Sequence, residues 1–104
     1  MKSMDAEAKA QAEKQAELCR IFGNACRILI LWSISTRELP VCEIAEAVGT
    51  SLQNISQHLA LLKEHGIVVA RREGQTIYYR IADDEWIRDC PVLTNAPRHD
   101  LIGP

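Results

Sequence analysis

The sequence predicts a small α+β domain, mainly helical and closed by a β-hairpin. Three observations predict it. In residues 50–65, TSLQNISQHLALLKEH, the residues Leu52, Ile55, Leu59 and Leu62 recur three and four apart, as on one face of a helix. Residues 40–48, PVCEIAEAV, repeat that spacing at Val41, Ile44, Ala45 and Val48, and Gly49 separates the two stretches. After Gly66, IVVARR and TIYYRI are β-branched and aromatic runs around Glu73-Gly74-Gln75, the pattern of two strands and a turn.

The chain has 104 residues, enough for one small domain with its own core. Its 47% hydrophobic and 25% charged residues are ordinary for a globular protein. No apolar run approaches the roughly 18 residues that a membrane span needs. The first residues contain no apolar stretch of the secretory kind, so a cytoplasmic location is expected. Four cysteines are present, Cys19, Cys26, Cys42 and Cys90, and none forms a CxxC pair. They read as thiols in a reducing compartment rather than as a disulfide framework.

The first helix is expected over about 5–22, a stretch rich in Ala, Glu, Lys and Gln. Its apolar face is thin at Met4, Ala8 and Ala12 and thickens at Leu18, Ile21 and Phe22. A helix with so little to bury alone suits a partner, here a second copy of the chain. Met1 to Ser3 is expected to be disordered. Gly23 breaks the helix, and Asn24 can cap the next. Residues 25–35, ACRILILWSIS, are apolar nearly all round, which predicts a buried helix with Trp32 in the core. Thr36 to Leu39 reads as a connection. Pro40 suits the first position of the following helix, where its missing N–H costs nothing.

Thr50 or Ser51 can cap the helix of residues 50–65. With Leu52, Ile55, Leu59 and Leu62 turned inward, Gln53, Gln57, Ala60 and Glu64 point outward, flanked by Asn54, Ser56 and His58. Amides can pair bidentately with adenine, and hydroxyls with several bases. On this stretch alone a solvated face explains the pattern equally well. The preceding short helix and glycine turn make the pair a helix-turn-helix, whose second helix enters the DNA major groove.

In the hairpin, Ile77, Tyr79 and Ile81 alternate with Tyr78 and Arg80, so one face can pack on the helices. Arg71, Arg72, Gln75 and Thr76 near the tip suit phosphate or minor-groove contacts. Asp83 to Asp89 predicts a short helix ended by Pro91, with Trp86 and Ile87 on its apolar side. The rest is expected to be a loose tail, docking through Val92, Leu93, Leu101 and Ile102.

The formal net charge of −2 argues against indiscriminate coating of nucleic acid. The distribution points the other way. Residues 50–80 carry Lys63, Arg71, Arg72 and Arg80 against Glu64 and Glu73, so the basic surplus sits where DNA contact is expected. An enzyme is not expected. His58, His65 and His99 have no nucleophile or carboxylate in a catalytic pattern, and no glycine-rich phosphate loop is present.

Together Glu38 to Ala45 (ELPVCEIA), Ile55 to Leu62 (ISQHLALL), Gly66 to Val68 (GIV), Arg72 to Gln75 (REGQ) and Tyr78 to Ile81 (YYRI) resemble the ArsR/SmtB family over roughly residues 18–87. The resemblance implies a winged helix-turn-helix with a two-stranded β-wing, in a DNA-binding unit over residues 1–90, followed by a tail over 91–104. It implies a helix-turn-helix over about 40–65, a wing over about 67–81, and a homodimer joined through the N- and C-terminal helices. The implied partner is a double-stranded operator with an inverted repeat, and the implied role is a repressor that an effector releases. Matched to the family pattern, Ser51, Gln53, Asn54, Ser56 and Gln57 face DNA, with His58 bordering the helix packing. Lys63, Arg71 and Arg72 supply phosphate contacts, with Gln75 and Thr76 at the wing tip. The alternative from another class is a winged-helix protein-interaction module.

The effector is where this chain departs from the family. Arsenic-type members carry Cys-Val-Cys at the start of the first helix of the motif, but here Pro40 precedes Cys42, and the third familiar cysteine position is Ala45. A complete thiolate site for a metalloid or soft metal cannot form from that helix alone. The zinc site of other members would fall near Asp83 and Glu85, but its histidine is missing. No cofactor is required, and Cys42 is the first candidate for a thiolate ligand, since a helix start favours a thiolate. Cys42, Cys90, Cys19 and Cys26 are the candidate sensors of a sulfur oxidant, metalloid or soft metal. Cys42 and Cys90 are expected to be accessible, while Cys19 and Cys26 fit equally well as small buried hydrophobes.

Overall fold

The computed structural model describes residues 5–97. Met1 to Met4, His99, Leu101 and Ile102 therefore lie outside the described residues.

Helix α1 (Ala6–Phe22) begins at Asp5, whose carboxylate accepts the Ala8 N–H at 2.7 Å. Its sequence is a good helix former with little to bury, and burial starts only at Leu18. Gly23 ends it. Asn24 caps α2 (Ala25–Ser33) by accepting the Arg27 N–H at 3.1 Å.

Helix α2 corrects one expectation. Ile30 and Leu31 are fully buried, but Leu29 is 40% exposed and Trp32 only half-buried. An apolar helix at the edge of a small fold has one side against the core and another that the described residues cover only in part. The Trp32 indole N–H instead donates to the Val92 carbonyl at 2.8 Å.

Strand β1 (Leu39–Pro40) precedes α3 (Val41–Val48). Pro40 is not the first helical residue, as expected, but an extended residue that caps α3 and pairs with Tyr78 in the sheet. Proline tolerates an edge strand because no ladder N–H is asked of it. Gly49, at φ 85°, closes α3 in the left-handed region. Ser51 then caps α4 (Leu52–Glu64), its Oγ accepting the Asn54 N–H at 3.1 Å.

The hairpin is β2 (Val68–Glu73) and β3 (Thr76–Ile81). Gly74 takes φ 64°, which the two-residue turn requires. The sheet has three antiparallel strands in the order β1-β3-β2, not the two expected. A two-residue strand such as β1 has no periodicity for a sequence to display.

Packing fades along β3 toward the tip. Ile81 is buried, Tyr79 half-buried and Ile77 40% exposed. The expected packing face is thus real only at the base, because the tip projects beyond the helices.

Helix α5 (Glu85–Arg88) is capped by Asp84, which accepts the Trp86 N–H at 2.8 Å. Ile87 is buried, whereas Trp86 is exposed with the Lys14 ammonium 5.2 Å from its ring centroid. Pro91 does not simply stop the chain here. It opens a further helix, α6 (Pro91–Thr94), where proline is well suited to the first turn. Val92 and Leu93 pack against the core, so the expected loose tail starts as a docked segment.

One hydrophobic core joins the elements, centred on Ile30, Leu31, Ile44, Ile55, Leu59 and Leu62. Full burial of each such side chain stabilises the fold by about 1.5–3 kcal/mol. Three core residues belong to α4, so the candidate reading helix is fixed by packing. No helix among the described residues is long and apolar enough to cross a membrane.

Candidate nucleic-acid interface

Burial along α4 follows the helical period and sorts its polar residues into two groups. Gln53, Ser56, Gln57 and Ala60 are exposed on the outward side. Asn54 and His58 are half-buried and turn toward α2. The Asn54 amide donates to the Thr50 hydroxyl at 3.1 Å and approaches the Cys26 sulfur at 3.8 Å. An Arg27 guanidinium nitrogen lies 3.4 Å from His58 Nδ1, while Arg27 Nε donates to the Ile21 carbonyl at 2.8 Å.

Burial first, and the Arg27 cation second, hold the His58 pKa below the usual histidine value. A neutral His58 can accept from Arg27 at Nδ1, and a protonated one cannot. Sequence reasoning missed Arg27. Its signal was a single charge inside an otherwise apolar helix.

Leu52 departs from the expected stripe. It is 52% exposed, although Ile55, one turn further on, is fully buried. The spacing is right, but the core ends at Ile55. Lys63 is exposed near the other end of α4. His65 Nδ1 lies 3.1 Å from Glu17, which ties that end to α1.

In the wing, Arg72, Gln75 and Thr76 are exposed at or beside the turn. Arg72 Nε donates to the Gly74 carbonyl at 3.2 Å. Arg71 is differently placed. Its guanidinium donates to Glu38 on the segment before β1 and to Glu73 at 3.0 Å, and it lies 4.8 Å from the Tyr78 ring centroid. The Arg71 hydrogen bond lowers the Glu38 pKa and outweighs the opposing effect of desolvation, while Arg71 is itself held more firmly charged. Arg72 is therefore open to an anion, while Arg71 already faces two carboxylates.

All four cysteines are free. Cys42 is exposed in the first turn of α3, as expected. Cys90 is buried at the cap of α6, against the expectation that it is accessible, because it joins the hydrophobic core where that unforeseen helix begins. Cys19 is exposed on α1, where the Gln15 amide lies 3.7 Å from its sulfur, so it is not a buried hydrophobe within one chain. Cys26 is half-buried. Among the described residues no three of His, Cys, Asp or Glu gather as a metal site. Among the described residues Cys42 therefore belongs to no such cluster, and those residues do not fit a metal centre held by one subunit.

A family model described as "Bacterial regulatory protein, arsR family" matches residues 26–69. The chain is 37% identical to the nodulation protein NolR of Rhizobium meliloti over 95 residues, covering 91% of this chain and 78% of that protein. It is 43% identical over 68 residues to the HTH-type transcriptional regulator KmtR of Mycobacterium tuberculosis, covering 65% of this chain. It spans 52% of KmtR's length. The structure resembles the homodimeric winged helix-turn-helix DNA-binding domain from Mycobacterium bovis, with a TM-score of 0.73 and 34% identity. That likeness covers 91% of this chain and 87% of the other. With its fold and much of its sequence shared with these proteins, the chain belongs to the ArsR family of winged helix-turn-helix transcriptional regulators, which are DNA-binding proteins rather than enzymes.

Proposed function

We propose that this chain is a transcriptional repressor that acts as a homodimer on an inverted-repeat operator in the cytoplasm. An effector sensed through its cysteines releases it. The outward face of α4 carries this reading. Gln53, Ser56 and Gln57 present amides and a hydroxyl, without charge, on a helix whose other side is fixed in the core. That surface offers hydrogen-bonding partners to base edges and fits the major groove. Ser51, Lys63, Arg72, Gln75 and Thr76 border it and supply backbone contacts. Asn54 and His58 act from behind by holding the helix, and Arg71 by holding the wing.

The effector is a thiol-modifying sulfur species, a metalloid or a soft metal. Cys42 is the open thiol of the helix-turn-helix, and Cys26 touches α4 through Asn54. The test is a gel shift on the chain's own upstream DNA. The reduced protein is compared with protein treated separately with diamide, polysulfide, arsenite and zinc. Specific binding lost with one treatment, and restored by reductant or chelator, is expected. Specific binding indifferent to every treatment would overturn the cysteine-sensing part alone. No binding by the reduced protein at low salt would overturn the repressor reading in favour of a protein-interaction module.

A further inference from the structure

We propose that Leu52 is a specificity-determining residue that recognises the C5-methyl group of a thymine in the operator. The inference rests on the reading of α4 as the helix that enters the major groove.

An exposed leucine by itself signals nothing, since much protein surface is apolar. The place of this one does. Large exposed apolar side chains among the described residues are Leu29, Leu52, Ile77 and Trp86. Leu29 and Trp86 lie on α2 and α5. Leu52 is the first residue of α4, immediately after the Ser51 cap and beside Gln53. In helix-turn-helix proteins the N-terminal residues of the second helix are those that meet base edges.

Among the described residues Leu52 is not part of the core that fixes α4. At 52% exposure it stands outside both the core and the half-buried apolar residues packed against that core. The cap bond that starts the helix is made by Ser51, not by Leu52. It stands at the exposed start of the apolar stripe, next to Gln53 in sequence and one turn before Ser56, both hydrogen-bonding groups. An apolar residue bordering them has one apolar counterpart on a base edge in the major groove, the thymine methyl. The surface therefore combines amide readout at Gln53 and Gln57 with methyl readout at Leu52.

The test uses the full chain and an operator obtained by selection from a random DNA pool. Each thymine of one half-site is replaced in turn by deoxyuridine, which removes only the methyl. Affinity is measured by fluorescence anisotropy for the parent, Leu52→Ala and Leu52→Met. At one position the parent is expected to weaken about fourfold, the worth of one buried methyl. Leu52→Ala is expected to bind the thymine and deoxyuridine forms alike there, while Leu52→Met keeps the difference. Thermal melting checks that each variant is folded.

A parent indifferent to deoxyuridine at every position would overturn the proposal while leaving DNA reading intact. So would a Leu52→Ala variant that retains the full methyl effect. A uniform loss across all sequences would place Leu52 against the sugar-phosphate backbone and overturn it equally. Failure of the pool to yield any preferred sequence would instead overturn the DNA reading on which the proposal rests.

Discussion

Arg71 on β2 is bound to Glu38 ahead of β1, its Nε donating to the carboxylate at 3.0 Å and a second nitrogen reaching the same oxygen. The pair crosses the sheet and fixes the wing to the body of the domain. Glu73 takes a further guanidinium nitrogen, and Tyr78 lies under the cation. The two adjacent arginines of the wing are therefore unequal. Arg72→Gln should make the fall of log affinity with log salt less steep by about 0.9 for each wing that loses a phosphate contact. Arg71→Gln should change that steepness less, and Glu38→Gln should increase it by removing one of the two carboxylates that hold Arg71. Salt titrations of operator binding check all three. Equal slopes for Arg71→Gln and Arg72→Gln would contradict the clamp.

Gln57 is exposed on the outward face of α4 and carries no charge. Gln57→Ala should alter the preferred operator sequence and leave the salt slope near that of the parent, because base contacts specify and phosphate contacts only position. The loss against the parent's favoured base should be about 1–3 kcal/mol. Binding to a panel of single-base operator variants measures this. A profile identical to the parent's would mean that α4 is turned the wrong way.

The His58 ring is held in its neutral form by burial and by Arg27, so its folded pKa lies below the ordinary value of 6.5. As pH falls, the unfolded chain takes up this proton first. The contribution to stability is complete above about pH 6.5, declines as pH drops below it, and levels off once the folded ring also protonates. Urea unfolding at about pH 7.5 and about pH 5.5 should show a larger loss for the parent than for His58→Gln. The same loss in both would assign the acid sensitivity to other groups.

Cys42 is exposed, whereas Cys26 sits against Asn54 at the start of α4. If sensing occurs at Cys42, Cys42→Ser should bind the operator like the parent and fail to release on the effective treatment. Cys26→Ser should then respond normally. The reverse result would place the sensor at Cys26, where an adduct displaces Asn54 and with it the recognition helix. Gel shifts of the two variants, with and without treatment, separate these outcomes.

Much of this molecule was legible in its sequence because its signals are local. Asn24 and Ser51 mark helix starts through their side-chain oxygens, Gly49 and Gly74 mark an end and a turn through their backbone freedom, and the structure puts each to that use. The stripe of Ile55, Leu59 and Leu62 was readable from spacing alone. Periodicity tells which way a side chain points, but not where its neighbours stop. For that reason Leu52 and Ile77 follow the right pattern and yet lie beyond the core. The Arg71–Glu38 pair spans 33 positions, and the Arg27–His58 contact spans 31, so neither leaves a local mark. The burial of Cys90 depends on α6, whose four residues are too few to show a helical period.

Hydroxyl-radical footprinting of the reduced protein on its selected operator tests the central claim most directly. Two recognition helices related by a dimer axis should protect two half-sites centred about one helical turn apart, roughly 34 Å. Gln57→Ala should weaken both patches together. A single protected patch, or protection that ignores the inverted repeat, would contradict a dimer reading DNA through α4.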